Sequence, residues 1–143
     1  MDTINYPNPE NYTTFRLWQV NNTWEKKINA ALAEFDLNQS QYLHLVSLAW
    51  LCYTEREITQ SCLAAYTKSN QMLTSKVVRA LEKAKYITRK PHPADTRANV
   101  LEITQAGCDI ITAALEKVLQ ADIEFFGRAE KSKLFTALQS LQK

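Results

Sequence analysis

SNQMLTSKVVRALEKAKYITRKPHPADTRANVLEIT, residues 69–104, decides the fold. It reads as one amphipathic helix followed by a basic two-stranded hairpin. With Leu73 at the origin and about 100° per residue, Leu73, Val77, Ala80, Leu81 and Ala84 fall on one apolar stripe. The opposite face collects Gln71, Met72, Ser75, Lys76, Arg79 and Lys83, with Thr74 and Val78 at its border. An ordinary solvated face mixes acids with bases, and here Glu82 is the only acid. A short polar, cationic helix face suits insertion into the DNA major groove. The hairpin carries Arg89, Lys90, His92 and Arg97 around a tip containing Pro91 and Pro93. Helix and basic hairpin together form the reading half of a winged helix-turn-helix.

Outward from this stretch, 143 residues make a single domain, 1–143, large enough to bury a core. Two glycines, four prolines and many Leu, Ala, Glu, Gln and Lys predict a mainly helical chain. The net charge of +2 is uninformative, but its distribution is not. Residues 66–97 carry eight Lys/Arg against Glu82 and Asp95, a local +6, and the remainder is −4. Such segregation is the footprint of phosphate binding, although a merely solvated basic face produces it as well. No apolar run approaches the ~20 residues that span a bilayer. The opening MDTINYPNPE lacks the basic-then-apolar pattern of a secretory signal. Cys52, Cys62 and Cys108 form no CxxC pair and no even framework, which fits a reducing, cytoplasmic setting.

In chain order, residues 1–10 read as an extended arm. A first helix begins near Tyr12 with Phe15, Trp18, Trp24, Ile28, Ala31, Leu32 and Phe35 at three- and four-residue spacing. Asn38 and Gln41 form a capping box that opens a second helix near Gln39. Its body, YLHLVSLAWLCY, is apolar almost all round and is expected to be buried on most sides. Thr59 caps a short third helix, and Lys68-Ser69-Asn70 makes the turn into the cationic helix, which runs to about Lys85. Strands are expected over 87–90 and 98–103, with both prolines in the tip because neither can donate to a ladder. Thr104 caps a helix from about Gln105 to Phe126, and a last helix spans 130–142. The terminal helices are too apolar for a body this small to cover, so a twofold dimer is expected to bury the remainder.

These segments resemble the MarR family of bacterial winged-helix transcriptional regulators. Asp95-Thr96-Arg97 followed by Leu101-Glu102-Ile103-Thr104-Gln105-Ala106-Gly107 resembles the family's D-x-R and L-x-L-T-x-x-G wing. Leu81-Glu82-Lys83 with Ile87-x-Arg89 resembles the link from recognition helix to wing. Leu37-Asn38-x-x-Gln41 resembles the opening of the family's second helix, and Ile58-Thr59-Gln60-x-x-Leu63-Ala64 that of the third. The similarity spans roughly residues 12–126. Two positions depart from the pattern: Cys62 replaces an acid in the third helix's capping box, and Lys85 replaces a glycine after the recognition helix.

The resemblance implies dimerisation helices at 12–36 and 105–143 around a winged helix-turn-helix at 37–104. It implies a homodimer on an inverted-repeat operator, half-sites about 10 bp apart, and repression as the commoner outcome. The DNA-contacting set is then Thr59, Asn70, Gln71, Met72, Thr74, Ser75, Lys76, Arg79, Arg89, Lys90, Asp95 and Arg97. Arg97 is placed in a minor groove with Asp95 orienting it, Met72 against a thymine methyl, and Thr59 on a phosphate. The family commonly binds aromatic effectors, and Trp18, Tyr42, His44, Trp50 and Tyr53 could line such a pocket or equally be core.

Other readings find less support. No nucleophile–His–acid arrangement or glycine-rich phosphate loop points to an enzyme. His44, Cys52, Cys62, Cys108 and Asp109 lack metal-ligand spacing, so neither metal nor cofactor is expected. The three cysteines sit among apolar residues, which favours inert packing over redox sensing. A winged helix that binds a protein partner instead of DNA is the alternative from a different class, and salt dependence separates the two.

Overall fold

The computed structural model describes residues 7–127 and 129–142. It has six α-helices and one hairpin among these residues: α1 Thr13–Leu32, α2 Gln39–Thr54, α3 Gln60–Thr67, α4 Gln71–Lys83, β1 Ile87–Pro91, β2 Asn99–Ile103, α5 Gln105–Phe126 and α6 Lys131–Ser140. Residues Pro9–Asn11 form a 3-10 turn where an extended arm was expected, and the rest of that arm, 1–6, lies outside the described residues.

The caps form where the sequence places them. Asn38 accepts from the Gln41 amide at 2.9 Å while Gln41 Oε1 accepts from the Asn38 amide at 3.0 Å, the reciprocal box. Thr59 and Thr104 each accept an amide three residues on, and Asn70, read from the sequence as part of the turn, caps α4 in the same way. Behind them Leu45, Leu48, Leu63, Val78 and Leu81 are at most 1% exposed. Burying each such side chain contributes about 1.5–3 kcal/mol, so these five alone tie α2, α3 and α4 into one core. α1 and α5 pack along each other, with Trp24 against Phe125 and Phe126 at ring separations of 5.4 and 5.3 Å.

The hairpin is antiparallel, with Ile87 opposite Ile103 and Arg89 opposite Leu101. Pro91 is the last residue of β1, opposite Asn99, so only Pro93 of the two prolines belongs to the tip. The outer edge of β2 is not open. Leu101 donates its amide to the Ile58 carbonyl at 2.7 Å, and Thr59 bridges Val100, making a stub of a third strand before α3. The Cys52 thiol lies 3.7 Å from the Leu101 carbonyl on the same edge.

Two further expectations need correction. The buried side of α4 is Thr74, Val77, Val78 and Leu81, while Leu73 is partly exposed. The inner stripe keeps Val77 and Leu81 and is turned by roughly a sixth of a circle from the expected one, toward Thr74 and Val78. In α2, Leu43, Trp50 and Tyr53 are exposed, so one face of that helix is open in the protomer.

Candidate nucleic-acid interface

α3 stops at Lys68, which takes the left-handed conformation at φ 59°, and α4 restarts at Asn70. The Asn70 side-chain oxygen accepts from the Leu73 amide at 2.7 Å, so that acceptor is committed to capping. Thr74 cannot reach a ligand: it is fully buried and its hydroxyl donates to the Asn70 carbonyl at 2.9 Å. Its short polar side chain is satisfied within its own helix, which lets it face the core. What α4 presents outward is Gln71, Met72, Lys76, Arg79 and Lys83, with Ser75 half-buried beside them. Arg79 folds back onto Ser75, donating from Nη2 to the hydroxyl at 3.0 Å and from Nε to the carbonyl at 3.3 Å.

Glu82, the single acid of this helix, is covered by Arg89 of β1. Two hydrogen bonds of 2.7 and 2.9 Å make the pair bidentate. The Arg89 hydrogen bonds hold the Glu82 carboxyl below its ordinary range, and Glu82 raises Arg89 in turn. Arg89 is thus a brace at the wing's base. Lys90 likewise pairs with Glu102 at 2.8 Å, though both remain well exposed.

The wing tip is organised by a residue absent from the predicted contact set. His92 Nδ1 accepts the amides of Ala94 and Asp95, each at 3.0 Å, and its Nε2 lies 3.5 Å from Glu57. The two acceptances place the neutral ring's proton on Nε2, toward Glu57. Glu57 itself is left-handed at φ 58°. The flanking Pro91 and Pro93 were the one signal that the backbone here is fixed, but a contact with residue 57 has no sequence signature. Asp95 Oδ1 accepts the Arg97 amide at 3.0 Å and stands 3.7 Å from Arg97 Nε. The Arg97 side chain is 92% exposed, projecting beyond the tip.

Between α3 and the wing lies a cleft of about 410 Å³. Thr59, Arg89, Asp95 and Arg97 line it, so four predicted contact residues from three segments, the start of α3, β1 and the wing tip, converge here. Thr59 is occupied as a cap, accepting from the Cys62 amide at 3.3 Å and donating to Cys62 Sγ at 3.2 Å.

The aromatic set does not assemble. Trp18 is exposed on α1, Tyr42 is buried, and Trp50 and Tyr53 form an exposed pair 6.0 Å apart. His44 is buried with Nδ1 2.6 Å from the Ser40 carbonyl and Nε2 3.4 Å from Thr67. These are the bonds of a packed residue, and none of the described clefts is lined by the five. The cysteines also differ from expectation: Cys62 and Cys108 are exposed, because each falls on an outward helical position, and only Cys52 is half-buried. Burial pushes the Cys52 thiol up. Among the described residues no group of three or more His, Cys, Asp and Glu is arranged to hold a metal, and no helix is long and apolar enough to cross a membrane.

Residues 37–98 match the MarR family model. An uncharacterised HTH-type transcriptional regulator of Bacillus subtilis, YdcH, is 38% identical over 139 residues, covering 96% of this chain and 95% of its own. CouR from Rhodococcus jostii, solved bound to p-coumaroyl-CoA, superposes with a TM-score of 0.78 at 21% identity over 96% of this chain and 94% of that one. The S. aureus MepR–DNA complex gives 0.76 at 19% identity, covering 92% and 94%. The structures establish a shared fold, and the near-full-length likeness to a helix-turn-helix regulator establishes more: this chain belongs to the MarR family of transcriptional regulators.

Proposed function

We propose that the protein binds double-stranded DNA as a homodimer at an inverted-repeat operator and regulates transcription there, as a repressor. The observation that carries this reading is the cationic surface running from α4 to the wing. Lys76, Arg79 and Lys83 face outward, and the one acid among them is neutralised by Arg89. Arg97 extends past the tip with Asp95 at its base. A phosphate backbone meets positive charge along this path, with an arginine projecting where a narrow minor groove would lie. Residues 37–104 serve as the winged helix-turn-helix, and helices within 12–36 and 105–143 join the two copies. MepR, solved with DNA, has the same fold and supports the assignment.

Within the contact set, Gln71, Met72, Ser75, Lys76, Arg79 and Arg97 remain as groups that reach the duplex. Thr59, Asn70, Asp95, Arg89 and Lys90 shape or brace that surface. We read the protein as a cytoplasmic regulator with no catalytic step. Release by a small aromatic effector extends the reading, as CouR's bound ligand suggests. A pocket drawing on Trp18, Trp50 and Tyr53 would then be completed by the second copy.

Titration of a selected operator at increasing salt, with Arg97→Ala beside the wild type, tests this. Affinity is expected to fall steeply with salt through counterion release, and Arg97→Ala to lose about tenfold while remaining dimeric. Salt-independent binding, or an unaltered Arg97→Ala, would remove the reading.

A further inference from the structure

We propose that Arg79 is the residue through which α4 selects a guanine, and that Ser75 acts as its splint. The proposal rests on the DNA-binding reading above and names the base which that surface recognises.

The two bonds to Ser75 come from Nε and Nη2, which share one edge of the guanidinium. Five N–H groups radiate from that plane in a fixed fork. With the Nε edge held, the end edge keeps two parallel donors, one on Nη1 and one on Nη2, free to leave the helix. In the major groove only guanine offers two neighbouring acceptors, O6 and N7. Adenine pairs an acceptor with a donor, and cytosine and thymine each present a single polar group. The free edge of Arg79 is complementary to guanine and to no other base.

Position separates this role from phosphate binding. The buried side of α4 centres on Leu81 and Thr74. Directly opposite, at about 100° per residue, stand Met72, Arg79 and Lys83, with Lys76 and Ser75 to either side; of the two cations Lys83 sits in the last turn, away from the end that reads base edges. The middle of that face meets the groove floor and its flanks meet the phosphate walls. The Ser75 contact also draws Arg79 back toward the first turns of α4, the end of a recognition helix that touches base edges. Nothing competes for the group: among the described residues no carboxylate pairs with Arg79, and Glu82 is held by Arg89. Arg89 has the same chemistry but spends it on Glu82. A splinted arginine also loses less rotamer freedom on docking than a free one.

Selection from duplexes with a randomised centre, at fixed salt, for wild type, Arg79→Ala, Arg79→Lys and Ser75→Ala is the test. The wild type is expected to enrich one G·C pair at twofold-related positions, and replacing that pair should cost it about tenfold or more. Arg79→Ala should lose preference at that pair alone and keep the rest of the consensus. Arg79→Lys should keep the wild-type salt slope while discriminating less, and Ser75→Ala should prefer the same base with a smaller margin. An identical consensus from Arg79→Ala would overturn the proposal. So would a uniform loss on all sequences with a salt slope lower by about one, the mark of a phosphate contact. A wild type that enriches nothing would instead remove the DNA-binding reading, and this proposal with it.

Discussion

Glu82 is an acid on a surface that otherwise offers Lys76, Arg79 and Lys83 to a polyanion, and Arg89 is what makes it tolerable. Hydrogen bonding from Arg89, ahead of the opposing desolvation, lowers the Glu82 carboxyl below 4.5. A carboxyl lowered in the folded state contributes stability that is present above the unfolded value. That contribution fades as pH falls through the folded one. Glu124, lowered by Lys27, adds to the same acid limb, whereas Asp122 is raised by burial and gains on protonation. Glu82→Gln should therefore flatten, without abolishing, the loss of stability below about pH 4.5, measured by denaturant midpoints across pH. An unchanged acid limb would show that the pair is not formed in solution. Its seven-residue spacing spans a helix end, a left-handed Lys85 at φ 64° and the start of a strand. Local periodicity has no reach over such a path, so Arg89 read from sequence as a free cation.

At the scale of elements, the joint between the recognition helix and α5 is closed by a single residue, Thr104. Thr104 donates its hydroxyl to the Lys85 carbonyl at 2.7 Å and its amide to the Tyr86 carbonyl at 2.9 Å, while capping Gly107 at 3.1 Å. A Cβ on Gly107 would collide with the Tyr86 carbonyl oxygen and come within 2.8 Å of Ile103 Cγ1. Helix propensity favours Ala over Gly by about 1 kcal/mol, but overpacking against rigid backbone costs about 1–3 kcal/mol, and the shift it forces would stretch the Thr104 bonds as well. Gly107→Ala should destabilise by about 2 kcal/mol in denaturant titration, and a stabilised variant would refute the close approach. Three of the four caps, Asn38, Thr59 and Thr104, were legible because a cap needs only residues three apart, whereas Asn70 reads from the sequence as a turn residue and a DNA contact. The orientation of α4 was not. Thr74 satisfies its own hydroxyl and turns inward, and periodicity alone counted it as a border residue. The Ile58–Leu101 bond and the His92–Glu57 contact join segments more than thirty residues apart, beyond any local pattern.

The whole molecule leaves apolar surface that one copy does not cover. Leu115, Leu119 and Ile123 are exposed on α5, Phe135 and Leu138 on α6 with Leu141 just past its end, and Leu17, Trp18 and Val20 on α1. Leu115, Leu119 and Ile123 line one shallow apolar face of α5, surface of the kind that marks an interface, and its place on a terminal helix keeps it off α4 and the wing. A twofold pairing there would fix the separation of two recognition helices, converting the second half-site contact into an intramolecular event. Such coupling raises affinity by about 10²–10⁴ without any new DNA contact. The double variant Leu119→Asp, Ile123→Asp should stay folded, since both side chains are exposed in the protomer. It should sediment as a monomer and lose about a hundredfold on the operator while binding a single half-site almost normally. A dimer that survives these charges would place the interface elsewhere. A monomer with undiminished operator affinity would show that recognition does not depend on paired helices. Because neither substitution touches the cationic surface, the lost affinity measures the spacing of the two copies and not the chemistry of either.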